Sequence, residues 1–246
     1  MRVEDRGGAR TLVVDETFAS FYRPGELATH CVWDAIAAPL AWLPPHRRRK
    51  ILILGLGAGS VARLARALAP QAEIRGVELD GEVVRLAREH FELDALGLTV
   101  EQADARVWLE RAVSRAERFD AILEDVFVGR GDAVHKPDWI PEPAHRQAKA
   151  LLVRGGLLVS NTLDEHARVA AILREEFASL VEIRVEDYDN RVLVAGSEGL
   201  SGQALRQAVL ASPVLRASQD VLSFRTRGAG LSSRPAPRRG SSARPG

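Results

Sequence analysis

The chain has 246 residues, a formal net charge of +1 and 46% hydrophobic residues, which suits one α/β domain with small additions. A charge balance this close to zero argues against a nucleic-acid-binding protein over the main body. Cys31 is the only cysteine, which excludes an intrachain disulfide and a cysteine-based zinc site. The first residues lack an apolar segment and no apolar run reaches membrane-spanning length, so we expect a cytoplasmic protein without membrane contact.

Residues 1–45 are predicted to form a small β element followed by a helix. Residues 11–14 and 17–22 favour a hairpin, because two runs rich in apolar and β-branched residues flank a short Asp-Glu turn. Residues 26–42 are predicted to be helical, since apolar residues recur there at a spacing of three to four. A basic segment then leads into the main domain.

Residues 46–200 alternate between strand and helix patterns, which predicts a Rossmann-like, doubly wound and mostly parallel sheet. Two late strands are separated by only four turn residues and must therefore pair antiparallel. The sheet is thus predicted to have seven strands and to close with a C-terminal antiparallel hairpin. The predicted strands cover residues 51–54, 73–77, 98–101, 119–124, 156–160, 181–186 and 191–195.

The chain beyond this domain divides into two parts. Residues 201–224 are assigned to a C-terminal helix, on the pattern that runs from Ser201 to Leu210. Residues 225–246 are dominated by Arg, Gly, Ser and Pro, and cannot bury enough apolar surface to offset their conformational entropy. We therefore expect a disordered basic tail.

The most informative segment is the glycine turn 55–59, which follows an apolar strand and precedes a helix. Its glycines, Gly55, Gly57 and Gly59, allow backbone amides to approach a ligand closely. The next strand ends in Glu78, at the distance from the turn where an acidic residue accepts hydrogen bonds from ribose hydroxyls. The dinucleotide fingerprint needs a glycine where Ser60 stands, and there is no P-loop motif. The pattern favours a nucleoside cofactor without phosphate, S-adenosylmethionine.

Two further strand ends carry candidate residues, because ligands in open α/β sheets bind beyond the carboxyl ends of the strands. Asp104 is placed either to accept from an adenine amino group or to cap the helix that begins at Ala105, and the two roles are compatible. The fourth strand ends in Glu124 and Asp125, which point to opposite sides, and Asp125 at the tip is the better ligand-facing candidate. The histidines show no metal-ligand spacing, so no metal site is predicted.

Segments from residue 11 to residue 197 resemble the polyamine aminopropyltransferases, the spermidine synthase family, which shares its fold with S-adenosylmethionine-dependent methyltransferases. The resemblance rests on Glu-Leu-Ala-Thr-His (26–30), the glycine turn, Val-Glu-Leu-Asp (77–80), Ala-Asp-Ala (103–105) and the strand that ends at Asp125. It implies that S-adenosylmethionine, or its decarboxylated form, binds with the ribose on Glu78, the adenine near Asp104 and the reacting end at Asp125. The cofactor-binding residues are expected to be Gly55, Gly57, Gly59, Glu78, Asp104 and Ala105, and the catalytic residue Asp125.

The chain departs from this family where the polyamine binds. The family's Gln-Ser is here Ala19-Ser20, its Tyr-His is Pro24-Gly25, the Asp inside its glycine turn is Ala58, and the second Asp of its D-x-x-D is Val128. A polyamine needs carboxylates to replace its lost hydration. We therefore predict a methyltransferase with an unidentified small-molecule acceptor and a lid over residues 127–141.

Two alternatives stay open. One is a polyamine aminopropyltransferase, in which Asp132, Asp138, Asp187 and Asp189 replace the lost contacts. The other is a non-catalytic protein that retains the cofactor pocket. No nucleic-acid partner is expected, and a homodimer is an open expectation.

Overall fold

The computed structural model describes residues 1–228 and shows a small N-terminal sheet in front of a large α/β sheet. The small sheet is antiparallel and consists of β1 (Arg2–Arg6), β2 (Ala9–Val14) and β3 (Thr17–Tyr22). The predicted hairpin is confirmed as β2 and β3. Strand β1, which pairs along its own full length with residues 9–13 of β2, is an addition that the sequence did not predict.

The large sheet has eight strands in the order β11-β9-β10-β8-β7-β4-β5-β6. The five adjacent strands β8, β7, β4, β5 and β6 are parallel. Strand β10 runs antiparallel to both β8 and β9. The mostly parallel sheet with an antiparallel hairpin is therefore confirmed, with eight strands instead of seven. The strands are β4 (Lys50–Leu54), β5 (Glu73–Glu78), β6 (Thr99–Gln102), β7 (Phe119–Glu124), β8 (Leu152–Thr162), β9 (Ser179–Val185), β10 (Arg191–Gly196) and β11 (Leu222–Arg227).

Helices cover both faces of the large sheet, as a doubly wound fold requires. One apolar core lies under α1, α2, α3 and α7, and the other lies under α4, α5 and α6. Helix α1, which the sequence grouped with the N-terminal β element, packs against α2 and α7 on the large sheet. The helices are α1 (Val32–Trp42), α2 (Ser60–Leu68), α3 (Gly81–His90), α4 (Ala105–Ser114), α5 (Ala144–Leu151), α6 (His166–Glu176) and α7 (Gly202–Ala211).

Helix α1 begins at Val32, so the predicted helix over 26–42 is wrong in its first part. The fully buried carboxylate of Asp34 accepts hydrogen bonds from the backbone amides of Thr29 and His30, at 2.9 and 2.8 Å, and from the Thr29 hydroxyl. His30 adopts a left-handed φ of 55°. These contacts hold residues 29–30 in a turn, which the apolar spacing of the sequence does not reveal.

The C-terminal segment also differs from the prediction. The helix expected over 201–224 is confined to α7, and Leu222–Arg227 forms the edge strand β11 on β9. Residues 225–227, predicted to begin the tail, therefore lie in a strand, while residues 229–246 lie outside the described residues. Over residues 1–228, no helix combines the length and the apolar character needed to cross a membrane.

Candidate cofactor and acceptor site

The glycine turn connects β4 to α2 and lies against the end of β7. Gly55, Gly57 and Gly59 all have positive φ values, of 78, 54 and 90°. A Cβ atom at Gly55 would lie only 2.5 Å from the carbonyl oxygen of Asp125. Glycine is therefore required there both by the backbone conformation and by the close approach of the two strand ends.

Glu78, at the end of β5, lies beside this turn as the sequence predicts. Its Oε2 accepts a hydrogen bond from the Gly57 amide at 2.8 Å, and its Oε1 accepts from the Asp80 amide at 3.1 Å. An ionised carboxylate offers about four acceptor sites, so two remain for hydroxyl groups of a ligand. The half-buried position leaves the carboxylate accessible to such a ligand.

Asp104 and Ala105 lie at the adjoining strand end. The Ala103 amide donates to the Glu78 carbonyl at 2.9 Å, which places the segment after β6 next to the end of β5. Asp104 Oδ1 caps α4 by accepting from the Arg106 amide at 2.7 Å. The structure therefore contains the capping role, and the exposed carboxylate keeps its second oxygen free for an adenine amino group.

Ser20 is a residue of this site that the sequence did not single out. Its buried hydroxyl accepts from the Ala58 amide at 2.8 Å and donates to the Ala19 carbonyl at 2.6 Å. Just after the glycine turn, the Ser60 hydroxyl forms hydrogen bonds with both the amide and the carbonyl of Phe21, each at 2.9 Å. Strand β3 is thus held against the glycine turn by side-chain hydrogen bonds. The sequence did carry a signal for this role, because Ser20 matches the serine of the Gln-Ser pair in the spermidine synthase family.

The neighbouring acids Glu124 and Asp125 have very different surroundings, consistent with their opposite directions. Glu124 is fully buried and is held by the Lys136 ammonium at 2.5 Å and the Ser160 hydroxyl at 2.6 Å, with the His145 ring 3.5 Å away. Burial alone would raise the pKa of Glu124, but Lys136 and His145 outweigh it and hold this pKa at about 2. Glu124 is therefore an ionised anchor inside the protein.

Asp125 is half-buried at the tip of β7, where its carboxylate accepts from the Asn161 side-chain amide at 2.7 Å. Burial raises the pKa of Asp125 to about 6, and the charge of Glu124 acts in the same direction. The Asn161 hydrogen bond, the Lys136 charge and the Trp33 indole act against this rise. The carboxyl group of Asp125 therefore loses its proton closer to neutral pH than an ordinary aspartate does.

The segment predicted as a lid, residues 127–141, is held at two points. Near the end of β7, the Lys136 ammonium binds Glu124 and the Val126 carbonyl. At the turn between β2 and β3, the Gly131 amide donates to the Asp15 carbonyl at 2.8 Å, and Arg130 pairs with Glu16 at 2.7 Å. The segment thus bridges the end of β7 and the turn between β2 and β3.

An aromatic pair adjoins Asp125 through the Trp33 indole. Trp33, at the start of α1, makes an edge-on contact with Phe18 of β3, with ring centroids 5.0 Å apart. The acids that could replace the lost polyamine contacts are exposed: Asp132, Asp138, Asp187 and Asp189. Across residues 1–228, no three His, Cys, Asp or Glu side chains are grouped to hold a metal ion.

The chain is similar to two kinds of curated protein. It is 31% identical over 169 residues to a polyamine aminopropyltransferase of Vibrio vulnificus, covering 64% of this chain and 54% of that protein. It is 25% identical over 218 residues to an eEF1A lysine and N-terminal methyltransferase homolog of Drosophila melanogaster, covering 78% of this chain and 32% of that protein. The chain thus spans about half of the first relative and a third of the second. No family model matches it.

Solved structures show the same fold. A probable spermidine synthase from Corynebacterium glutamicum superposes with a TM-score of 0.71 at 22% identity, covering 96% of this chain and 95% of that one. Human methyltransferase-like protein 13 in complex with SAH gives a TM-score of 0.61 at 20% identity, covering 82% and 96%. The chain therefore has the fold that these two structures share, and its sequence is similar to those of polyamine aminopropyltransferases.

Proposed function

We propose that this chain is an S-adenosylmethionine-dependent methyltransferase that acts on a small-molecule acceptor held at Asp125. The observation that carries the proposal is the setting of Asp125. The backbone of Asp125 lies against the glycine turn, and its carboxylate has a pKa of about 6 and the Trp33 indole beside it. It can therefore receive a proton from an acceptor at neutral pH.

The cofactor would occupy the ends of β4, β5 and β6. Glu78 would accept from the ribose hydroxyls, Asp104 would accept from the adenine amino group, and Ala105 would border the base. Gly55, Gly57 and Gly59 would let the backbone approach the nucleoside and the sulfonium end. The SAH bound to human methyltransferase-like protein 13 supports a ligand of this class on this fold.

The reaction would be an in-line displacement at the methyl carbon. An amine or hydroxyl of the acceptor attacks that carbon, the carbon–sulfur bond breaks, and S-adenosylhomocysteine leaves. The proton lost by the acceptor passes to Asp125. Alignment of the acceptor and the methyl group supplies most of the catalysis in such a step, and proton transfer adds to it.

Methyl transfer is favoured over aminopropyl transfer by two positions near Asp125. Ala58 offers no carboxylate to the amine of an aminopropyl group, and its backbone amide is already bonded to Ser20. Val128, where the family has its second Asp, is 41% exposed and apolar. A polyamine ammonium placed there would lose hydration without gaining an anion.

Aminopropyl transfer is the second candidate, and one observation favours it. Asn190 donates to Asn161, which in turn donates to Asp125, so the turn that carries Asp187 and Asp189 lies next to the site. These exposed acids could supply the negative charge that Val128 lacks. The Vibrio vulnificus relative, a polyamine aminopropyltransferase by name, supports the same alternative.

Calorimetry followed by a transfer assay separates the candidates. We expect S-adenosylmethionine and S-adenosylhomocysteine to bind more tightly than decarboxylated S-adenosylmethionine, and methyl-labelled cofactor to label a small acceptor in a metabolite extract. Tighter binding of decarboxylated S-adenosylmethionine, together with aminopropyl transfer to putrescine, would show that the chain is an aminopropyltransferase instead. Binding without transfer to any acceptor would indicate a non-catalytic protein.

A further inference from the structure

Two asparagines connect Asp125 to the turn between β9 and β10. Asn161 lies near the end of β8 and is buried, while Asn190 immediately precedes β10. The Asn190 amide nitrogen lies 3.0 Å from Asn161 Oδ1, and the Asn161 amide nitrogen lies 2.7 Å from Asp125 Oδ1. The three side chains form one continuous chain of hydrogen bonds.

The direction of this chain is fixed by its last member. An ionised carboxylate can only accept, so Asn161 must turn its NH₂ group toward Asp125. Its carbonyl oxygen then faces Asn190, which must present an NH₂ group in turn. The Asn161 amide therefore has one orientation that satisfies both of its neighbours, and hydrogen bonds in such a chain polarise one another.

We propose that Asn161 and Asn190 are positioning residues that fix the orientation of the Asp125 carboxylate and leave its Oδ2 atom directed at the acceptor. This inference rests on the proposed function of Asp125. A carboxylate free to rotate would present either oxygen, and the productive geometry would be populated for only part of the time. Asn190 reaches Asp125 only through Asn161, so its role is indirect.

A carboxyl carbon-13 titration of the protein without cofactor tests this proposal. The Asp125 signal is assigned by its loss in Asp125→Asn. We expect Asn161→Ala to raise the pKa of Asp125 by about one pH unit, and Asn190→Ala to raise it by about half a unit, because a hydrogen bond to the charged form is lost or weakened. The charged groups that act on Asp125, Glu124 and Lys136, are unchanged in both variants.

Tyr188→Phe is the matched control. The Tyr188 hydroxyl lies 3.0 Å from Cys31 Sγ, so this variant removes a different contact of the same turn and keeps the amide pair. We expect its Asp125 titration to match the unmodified protein. If Asn190→Ala titrates like Tyr188→Phe, the positioning role is overturned. Since Asn190 is half-buried, this result is available even if Asn161→Ala does not fold.

The transfer assay separates a failure of this inference from a failure of the proposed function. We expect Asn190→Ala to lower kcat at least fivefold while the Kd of S-adenosylhomocysteine stays within twofold. A shifted titration with full turnover in Asp125→Asn would remove Asp125 from the chemistry and leave the amide pair as its orienting partner. An unshifted titration with an inactive Asp125→Asn would overturn the positioning role alone.

Discussion

Two adjacent acids at the end of β7 show that the groups around a carboxylate, more than its place in the sequence, decide its charge. Glu124 has a cation within 2.5 Å and a pKa of about 2, whereas Asp125 has a neutral amide as its nearest partner and a pKa of about 6. The sequence places both at the strand end and predicts that they diverge in direction. It cannot reveal that Lys136, twelve residues further along, forms a direct ion pair with Glu124 and not with Asp125.

Replacing Asp125 by Asn is expected to lower turnover and raise stability. Loss of a general base costs about 10²–10⁴-fold in rate. The folded-state pKa of Asp125 is above its ordinary value of 3.8, so ionisation opposes folding. This penalty is absent below pH 3.8, grows up to about pH 6 and is complete above it, where Asn removes up to about 3 kcal/mol.

Urea unfolding at pH 3.5 and pH 7.5, with a turnover measurement on the same preparation, checks both effects. We expect Asp125→Asn to gain stability only at the higher pH. If the substitution changes the free energy of unfolding by the same amount at both pH values, the pKa of Asp125 is not raised in the folded protein. Full turnover in the folded variant would exclude a role in proton transfer.

Replacing Glu78 by Ala is expected to weaken cofactor binding by about 1.5–3 kcal/mol, the range for hydrogen bonds to a charged group. The variant loses both the ribose acceptor and the bond that orients the Gly57 amide. Glu73→Ala, at the exposed start of the same strand, is the control and should bind normally. Calorimetry with S-adenosylhomocysteine measures the difference, and equal affinities would mean that the ribose is held elsewhere.

At the scale of whole elements, the sequence predicts best where local pattern and tertiary contacts agree. Apolar runs predict the central parallel strands β4 and β7, because these two strands are buried on both faces of the sheet. The start of α1 and strand β11 were missed for different reasons. The start of α1 depends on the Asp34 carboxylate, which accepts hydrogen bonds from the Thr29 and His30 amides. Strand β11, an alternating Leu-Ser-Phe-Arg segment, depends on pairing with the edge of β9.

The segment after β7 is expected to depend on the buried Lys136–Glu124 pair. Lys136→Met leaves the Glu124 carboxylate buried without its cation, which costs about 3–5 kcal/mol. The double variant Glu124→Gln and Lys136→Met removes the stranded charge and should be more stable than Lys136→Met alone. Urea unfolding of the three proteins checks this order, and equal stability of the single and double variants would show that Lys136→Met leaves no uncompensated charge at Glu124.

The whole molecule is held together across sequence-distant segments. The N-terminal hairpin contacts the glycine turn through Ser20 and the segment after β7 through Glu16 and Arg130. At the other end, the Ser218 hydroxyl bonds Asp34, and the Gly202 amide donates to Thr226 at 2.9 Å. Both ends of the described chain therefore stabilise the elements that form the site.

The last strand is expected to be needed for the stability of this assembly. A chain ending at Val221 loses β11, including the buried Leu222 and the Arg227 guanidinium, which lies 2.6 Å from the buried Glu182. A chain ending at Gly228 keeps every described contact and is the matched control. Burial of one large apolar side chain and one charged hydrogen bond together predict a loss of about 3 kcal/mol or more at pH 7.

The pH dependence of that loss tests its electrostatic part. Burial raises the pKa of Glu182, but Arg184 and Arg227 outweigh it and lower this pKa below its ordinary value of 4.5. A lowered folded-state pKa stabilises the protein above pH 4.5, and the contribution disappears as the pH falls through the folded-state value. Without Arg227 this contribution shrinks, so the stability difference between the two truncated chains should be larger at pH 7 than at pH 3. A difference that is the same at both pH values would mean that β11 stabilises the sheet through apolar packing and backbone pairing alone.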